Sequence, residues 1–345
     1  MPAATKQELL RLVDEAVAGG WDHRRACRYL ELREGRAWRW RELRAADALV
    51  DRRPGAALHG ITPDEEAEIL AVFEAFQDVD RSHRKLAHRG SYIQRVWVSA
   101  STVRRVLAAH DLRLRRPPRP GPSQRTPFPA WASYRKHSIW IYDVTQFARC
   151  KHTWAVVIMD LVTRKWICEL VSGEETSLQV QLAFTHALEI EGLLPVIEAR
   201  QDRLADPTIE NPALPVLLAV SDNGPQMTSG STREFLAMCA IAQHFGRPGT
   251  PTDQAWIESL FGHVKADWPH LDQIRDPAVL RAELATVRVA YNTTRLHAGI
   301  GYVTPDDEHE GRGSAIRKAR RDGLRRARRL RIDYHRNQRD QEPDA

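Results

Sequence analysis

Three acidic residues that stand far apart in the chain carry the side chains that divalent-metal chemistry uses. Asp143 lies within the apolar segment 139–145, which predicts a strand, and Asp222 comes after the apolar segment 214–220, where a buried strand is predicted to end. Glu258 lies within a helical pattern. Carboxylates from three separate elements form a hard, oxygen-only donor set, which favours magnesium or manganese over zinc.

The residues around each acid indicate its local structure. An Asn-Gly dipeptide follows Asp222 and turns the chain away from the strand. Thr252 or Asp253 is a suitable N-cap for the helix that carries the glutamate. An aspartate before Asn-Gly is often only a turn former. Asp143 is harder to explain in that way, because burying a carboxylate without a partner is costly.

Five short motifs occur in an order that resembles the DDE transposases of bacterial insertion sequences, whose catalytic core is like that of retroviral integrases. The motifs are Tyr142–Thr145, Ser221–Gly224, Glu258–Phe261 followed by Lys265, Tyr291–His297, and Tyr302–Pro305. The resemblance covers roughly residues 130–310, and 35 residues separate the second acid from the third. Gln254 departs from the family pattern, because relatives often have asparagine there.

The resemblance implies a catalytic triad of Asp143, Asp222 and Glu258 that holds two Mg²⁺ (or Mn²⁺) ions in each active site. It implies that Asp143 bridges both ions, and that Asp222 and Glu258 hold one each. Two ions about 3.5–4 Å apart can serve the attacking and the leaving oxygen of an in-line phosphoryl transfer. The expected reaction is metal-dependent cleavage of DNA 3′ ends, followed by strand transfer into target DNA.

Three further residues near the triad are candidates for DNA contacts. Lys265 follows Glu258 by seven residues, so it faces the same side of the predicted helix, where it would anchor a phosphate. A solvent-exposed lysine is the alternative. Asn223 is expected to contact the DNA end or orient a carboxylate, or else to serve only as a turn residue. For Arg295, the resemblance leaves a structural and a DNA-binding role open.

The composition is that of a globular protein, and its charge distribution suits a polyanionic partner, with ordinary solvated surface as the alternative for each basic cluster. The chain has 345 residues, 42% of them hydrophobic, which excludes wholesale disorder and is enough for two or three domains. The formal charge is +6, with basic residues gathered at 24–53, 81–125 and 312–339. The four cysteines have no paired metal spacing. Without a membrane-length apolar run or a signal pattern, a soluble, cytoplasmic, nucleoid-associated protein is expected.

Two helix-turn-helix modules are predicted before the catalytic region, at residues 1–55 and 56–116. In the first module, Thr5 and Glu8 are predicted to form a capping box at the start of the first helix. Its basic third helix carries the candidate DNA contacts Arg36, Arg39 and Arg44. A purely structural helical bundle is the alternative.

The second module repeats this pattern. Thr62, Pro63 and Glu65 predict a capped helix start, and Arg104 and Arg105 lie on the outer side of the predicted third helix. Two modules in series are expected to read a bipartite DNA site, because base contacts specify the sequence and phosphate contacts position the protein.

The remaining chain divides into a Pro/Arg linker at 117–130, a catalytic domain at 131–310 and a basic C-terminal tail at 311–345. The tail is expected to bind phosphates as a helix or an extended segment, with a disordered solvated tail as the alternative. The polar stretch 195–215 is longer than an ordinary loop and predicts an inserted flap or mobile segment.

The catalytic region predicts strands alternating with helices. The predicted strands are 137–147, 153–161, 164–172, 215–221 and 242–245, and the predicted helices are 176–191, 231–241 and 253–267. The sequence alone supports an α/β domain that starts with antiparallel strands. The family resemblance implies an RNase H-like (integrase) fold with a mixed five-stranded sheet, preceded by all-α modules.

The predicted function is a DNA transposase that binds the terminal inverted repeats of an insertion sequence and joins its ends to target DNA. Since two DNA ends must be handled, a homodimer or higher homo-oligomer on double-stranded DNA is expected. The main alternative is a transposase-derived DNA-binding protein without catalysis. A ribonuclease acting on RNA–DNA hybrids would share the metal site but would not need two sequence-reading modules.

Overall fold

The fold is described from a computed structural model of the chain. The residues described are 2–50, 57–112, 114, 128–129, 131–132, 134–205, 214–245 and 255–341. The chain forms two compact units, one comprising Met1–Gly60 with Leu330–Ala345 and the other comprising Ile61–Arg329.

The first unit contains a three-helix module. Its helices are α1 (Ala3–Ala18), α2 (His23–Tyr29) and α3 (Glu34–Ala45). Apolar residues from all three helices, including Leu10 and Trp40, form a common core. The capping box predicted at Thr5 and Glu8 is wrong. The helix already begins at Ala3 after Pro2, so Thr5 lies inside the first turn and caps nothing.

The second three-helix module belongs to the larger unit. Its helices are α4 (Pro63–Phe76), α5 (His83–Tyr92) and α6 (Ala100–Ala109), which share a core of their own. The predicted capping box is confirmed: the Glu65 N–H donates to Thr62 Oγ1 at 3.2 Å, and the Thr62 N–H donates to Glu65 Oε2 at 3.1 Å. This helix start follows from local sequence alone.

A mixed five-stranded sheet forms the centre of the larger unit. Its strands are β1 (Ile139–Gln146), β2 (Trp154–Asp160), β3 (Trp166–Ser172), β4 (Leu217–Ser221) and β5 (Ile241–Phe245). The strand order is β3-β2-β1-β4-β5, with antiparallel pairs among β1, β2 and β3 and parallel pairing of β4 with β1 and β5. The predicted fold class, all-α modules before an RNase H-like domain, is confirmed.

The larger unit is completed by further α-helices, some of which cover the two faces of this sheet. The α-helices that follow the first strands are α7 (Ser177–Ile190), α8 (Leu194–Ala205), α9 (Pro225–Thr228), α10 (Gly230–Met238), α11 (Ala255–Asp267), α12 (Pro277–Thr294), α13 (Pro305–His309) and α14 (Gly313–Gln341). Apolar residues of α7 and α10 pack on one face, and those of α11 and α12 pack on the other. Each face therefore has a core of its own.

The second module packs directly against the domain that contains the sheet. Arg89 of α5 forms a buried ion pair with Asp80 and donates a 2.6 Å hydrogen bond to the carbonyl of Thr294 at the end of α12. Arg320 of α14 donates to the carbonyl of Ala87 at 2.7 Å. The division into five domains stays a prediction, and these contacts, all within the larger unit, join parts of three predicted domains, 56–116, 131–310 and 311–345.

One expectation for these segments needs correction, and one alternative is decided. The first half of the stretch 195–215 is the helix α8, with apolar residues such as Ile197 buried against the sheet core, and residues 206–213 lie outside the described residues. The C-terminal segment is the basic helix that was expected, since α14 is helical from Gly313 to Gln341, and the alternative of a disordered tail is wrong. Residues 117–127 of the predicted linker, and the predicted N-caps Thr252 and Asp253, lie outside the described residues.

Within the described part of the chain, no single helix is both long and apolar enough to cross a membrane. One bent helix pair, Ser177–Ile190 with Leu194–Arg203, passes that test by length and composition only.

Candidate active site

The pairing of two parallel strands brings the two aspartates together. In the register of β1 and β4, Ile139 lies opposite Leu218 and Ile141 opposite Val220. Asp143 and Asp222 each come two residues after the last of these pairs. Because side chains alternate between the faces of a strand, both aspartates point to the same face as their paired isoleucine and valine. They are therefore neighbours at the carboxyl end of adjacent strands.

The helix that carries Glu258 covers this same face of the sheet. Ile141 and Val220 belong to one buried core together with Ile257 and Leu260 of α11. Glu258 lies between these two anchors in sequence and is exposed. The apolar face of α11 thus fixes the helix on the sheet, and its glutamate extends at the edge where the aspartates lie.

Electrostatics indicate that the three acids lie close together. Burial, together with the charges of Asp222, Glu258 and Glu175, raises the pKa of Asp143 to about 7. The backbone N–H of Val144 donates to Asp143 Oδ1 at 2.7 Å, which acts in the opposite direction. A carboxylate that is destabilised by burial and by like charges gains most from a bound cation.

The donor set fits a hard divalent cation. Among the described residues, no arginine or lysine forms an ion pair with Asp143, Asp222 or Glu258. Asp222 Oδ1 accepts the Gly224 N–H at 2.9 Å, which holds the turn after β4 and orients the carboxylate. Oxygen ligands from two strands and one helix, without a permanent cationic partner, suit magnesium or manganese.

A fourth acid, Glu175, was missed by the sequence reasoning. It follows β3, and its carboxylate accepts a 3.1 Å hydrogen bond from Gln226 Nε2 of α9. Its charge also contributes to the raised pKa of Asp143. Glu175 comes just after Ser172, which pairs with Trp154, and Trp154 in turn pairs with Gln146 at the end of β1. Its position therefore points to the site only when the strand order is known.

The other residues predicted near the triad have different environments. Lys265 donates a 2.8 Å hydrogen bond to the carbonyl of Gln146 at the end of β1, and its ammonium lies 5.3 Å from the centre of the Phe147 ring. Asn223 is exposed. Both DNA contacts stay predictions. Gln254 lies outside the described residues.

Arg295 lies in a buried ion pair. Its side chain is 8% exposed, and its guanidinium pairs with Asp267 at the end of α11. The guanidinium also lies 5.9 Å from the centre of the buried Tyr291 ring. Of the two roles left open by the sequence, this environment favours the structural one, because an arginine already paired and buried has little surface to offer a phosphate.

The arginines predicted on the two third helices are all exposed. On α3 these are Arg36, Arg39 and Arg44, of which Arg44 pairs with Asp14 of α1 at 3.0 Å. On α6, Arg104 and Arg105 point away from the core that Val103, Val106 and Leu107 form. Their exposure is compatible with DNA contacts, which stay predictions.

Two family profiles with the same description match overlapping parts of the chain. Both are described as "Integrase core domain", and they match residues 133–251 and 239–305. Asp143 and Asp222 lie in the first range and Glu258 in the second. The matched region therefore contains the sheet, the helix α11 and all three acids.

A similar curated protein is the transposase for insertion sequence element IS904 of Lactococcus lactis subsp. lactis (strain IL1403). It is 29% identical over 94 residues, which make up 27% of this chain and 37% of that protein. The chain thus matches little more than a third of that relative's length.

Two solved structures are also similar to this chain. One is the catalytic core domain of BIV integrase, with 22% identity, a TM-score of 0.35, and coverage of 52% of this chain and 97% of that one. The other is the simian T-cell lymphotropic virus intasome in complex with PP2A regulatory subunit B56 gamma. It has 16% identity, a TM-score of 0.37, and coverage of 70% and 73%.

Proposed function

We propose that this chain, whose residues 133–305 form an integrase core domain, is the transposase of a bacterial insertion sequence. In this proposal it binds the terminal inverted repeats of its element, cleaves the 3′ ends, and transfers them into target DNA. The observation that carries the proposal is the placement of Asp143 beside Asp222 on adjacent parallel strands, with the charge of Glu258 acting on the same carboxylate.

The triad would hold two Mg²⁺ or Mn²⁺ ions, with Asp143 as the shared ligand and Asp222 and Glu258 as single ligands. When bound, the ions neutralise negative charge at the reacting phosphate and lower the pKa of the attacking hydroxyl. The chain supplies carboxylates on rigid elements, so little reorganisation is needed when the DNA end arrives. Burial of Asp143 limits the access of water to this ligand.

Positively charged helices would hold the DNA that this site cleaves. The exposed arginines of α3 and α6 are the proposed contacts of the two modules, and α14 carries further basic residues such as Arg321 and Arg328. Phosphate contacts of this kind release counterions, so binding should weaken steeply with salt. A homodimer or higher homo-oligomer would bring two element ends together.

The test uses labelled duplexes made from the DNA that flanks the coding sequence, incubated with the full chain. Magnesium-dependent nicking at one 3′ end and joining to a second duplex are expected. Asp222→Asn and Glu258→Gln should abolish both reactions but retain DNA binding in a gel-shift assay. Glu234→Gln, an exposed glutamate on α10, is the matched control and should leave both reactions unchanged.

Two outcomes would replace the proposal. Specific binding of the element ends without nicking, in wild type and variants alike, would identify a DNA-binding protein without catalysis. Cleavage of an RNA–DNA hybrid in preference to the duplex ends would identify a ribonuclease with the same donor set.

A further inference from the structure

A cluster of two histidines and one glutamate lies within the larger unit, apart from the acidic triad. His309 Nε2 is 2.7 Å from Glu191 Oε2, and His137 Nε2 is 3.6 Å from the same oxygen. The three ligand atoms all lie within 4.8 Å of one another. His137 comes just before β1, Glu191 directly follows α7, and His309 ends α13, so three distant segments meet here.

The cluster is buried. The side chains of His309 and Glu191 are 1% and 4% exposed, and that of His137 is 18% exposed. Three groups that can each bind a metal ion through one atom are thus removed from most of the solvent. Burial at this level raises the cost of any polar atom that lacks a partner.

Each of the two most buried members is oriented by a second partner. The His309 Nδ1 atom is 2.9 Å from Thr163 Oγ1. The other oxygen of Glu191 forms a 2.9 Å ion pair with Lys165. In metal sites, outer partners of this kind fix the ring orientation of a histidine and the carboxylate geometry. The inward atoms, Nε2 and Oε2, are the ones that face the third member.

His137 is held by its backbone, and its ring is not hydrogen-bonded. Its N–H donates to Asp160 Oδ2 at 2.8 Å, which fixes the residue. The ring atom Nδ1 is buried without a hydrogen-bond partner, and Asp160 Oδ2 lies 3.9 Å away. The ring atom Nε2 is too far from Glu191 for a hydrogen bond. A half-buried imidazole whose Nδ1 has no hydrogen-bond partner, beside a carboxylate and a second imidazole, brings three possible metal ligands together.

The spacing agrees with a tetrahedral transition-metal site. Bonds of 2.0–2.1 Å to nitrogen and oxygen place neighbouring ligand atoms about 3.3 Å apart around zinc. The 3.6 Å separation of His137 and Glu191 is close to this value. The 2.7 Å separation of His309 and Glu191 would have to widen by about 0.6 Å, which a side-chain rotation of the glutamate can supply.

We infer that His137, Glu191 and His309 form a binding site for a zinc-class cation, with water as the fourth ligand. Two imidazoles and one carboxylate select zinc, cobalt or nickel over magnesium, so this site and the acidic triad would take different ions. A cavity of about 420 Å³, lined by His137, Ser138 and Leu193 among others, gives the ion a path from solvent.

Binding exchanges one hydrogen bond for three coordinate bonds. Without metal, His309 Nε2–H donates to Glu191, and its Nδ1 accepts from the Thr163 hydroxyl. With metal, the neutral ring takes the other tautomer: Nε2 gives up its proton to solvent, Nδ1 takes one up, and Nδ1–H donates to Thr163, so the ring releases no net proton. A hydroxyl can both donate and accept, so Thr163 serves either form. The ion would fasten α13 to the start of β1 and the end of α7. This inference does not depend on the proposed function.

The test measures zinc binding by untagged, chelator-treated full-length protein in saturating magnesium, by calorimetry and metal analysis. We expect one zinc ion per chain, and a cobalt-substituted form with the visible absorption of four-coordinate cobalt. His137→Gln and Glu191→Gln should each weaken zinc binding at least tenfold. His186→Gln, an exposed histidine on α7, is the control and should bind zinc like the wild type.

Two controls distinguish zinc binding at this cluster from zinc binding at the acidic triad and from loss of the fold. Glu258→Gln should retain zinc binding, because the acidic triad is not involved. Hydrogen exchange of the metal-free variants should match that of the wild type, which shows that they are folded. Absence of bound zinc in the wild type, equal affinity in His137→Gln, or loss of zinc in Glu258→Gln would each overturn the inference. If the wild type binds no zinc, the cluster is a hydrogen-bond network only.

Discussion

Replacing Asp143 by asparagine should stabilise the metal-free protein at neutral and alkaline pH, although it removes a proposed catalytic ligand. Burial and, to a smaller extent, the charges of Asp222 and Glu258 raise the pKa of this carboxyl from 3.8 to about 7. The folded state therefore binds more protons than the unfolded state between about pH 4 and pH 7. The wild type therefore loses stability as pH rises through this window. The Asp143→Asn variant should not lose this stability, because asparagine does not ionise.

The size of the effect follows from the shift. A pKa difference of roughly three units corresponds to about 4 kcal/mol, at 1.36 kcal/mol per unit. This value is an upper bound for the increase in the free energy of unfolding above pH 7. Below about pH 4 the gain should disappear, because the aspartate is then protonated in both states. The amide oxygen of asparagine can still accept the Val144 N–H, so the substitution retains that hydrogen bond.

Hydrogen-exchange mass spectrometry under increasing urea, with chelator present, measures this gain. Peptides from β1 and β2 report the unfolding free energy of the core at pH 4.5, 6 and 8. Magnesium should stabilise the wild type increasingly from pH 6 to pH 8 and should stabilise Asp143→Asn much less. Glu234→Gln, at an exposed glutamate on α10, is the control and should change the unfolding free energy by less than about 0.5 kcal/mol at each pH.

The reasoning would be refuted by a substitution at Asp143 that leaves the unfolding free energy unchanged or lowers it at pH 8. An increase that is the same at all three pH values would also refute it. Such a result would mean that the carboxylate is solvated or already neutralised in the folded protein.

Two single variants and one double variant test the packing and the DNA contacts. Arg89→Met leaves Asp80 buried without its partner, which should cost about 3–5 kcal/mol in urea unfolding. Asn292→Ala removes both hydrogen bonds that this amide makes with the backbone of β3, at 2.9 and 2.7 Å, and should cost at least about 2 kcal/mol in the same measurement. Arg104→Gln with Arg105→Gln should weaken DNA binding and lower the salt slope by up to about 2, measured by titration at several salt concentrations.

Each of these substitutions has an exposed control nearby or of the same type. Arg84→Met on α5 and Thr293→Ala on α12 should change the unfolding free energy by less than about 0.5 kcal/mol. Arg203→Gln on α8 should leave the salt slope unchanged. A cost at Arg89 no larger than at Arg84 would show that the ion pair contributes nothing net. If the salt dependence of DNA binding is unchanged in the Arg104→Gln, Arg105→Gln variant, α6 is not part of the DNA-binding surface.

Local sequence was sufficient for elements whose stabilising contacts lie within a few residues. The capping box at Thr62 and Glu65 is one example, since both hydrogen bonds span three positions. The same rule failed at Thr5, because the N-cap is Pro2, three residues before the predicted one. The polar composition of 195–215 predicted a loop, yet a few apolar residues such as Ile197 are enough to hold α8 against the core.

The sequence by itself determined the residue types at the candidate site and the elements that carry them, because apolar periodicity and turn residues are local signals. Only the tertiary structure decided that β4 pairs with β1 in the register that sets Asp143 beside Asp222, and that Glu175 lies within reach of their charges. It also decided that Arg295 is buried. These contacts depend on which apolar surfaces, far apart in sequence, pack against one another and are buried from water. A local sequence pattern does not contain that information.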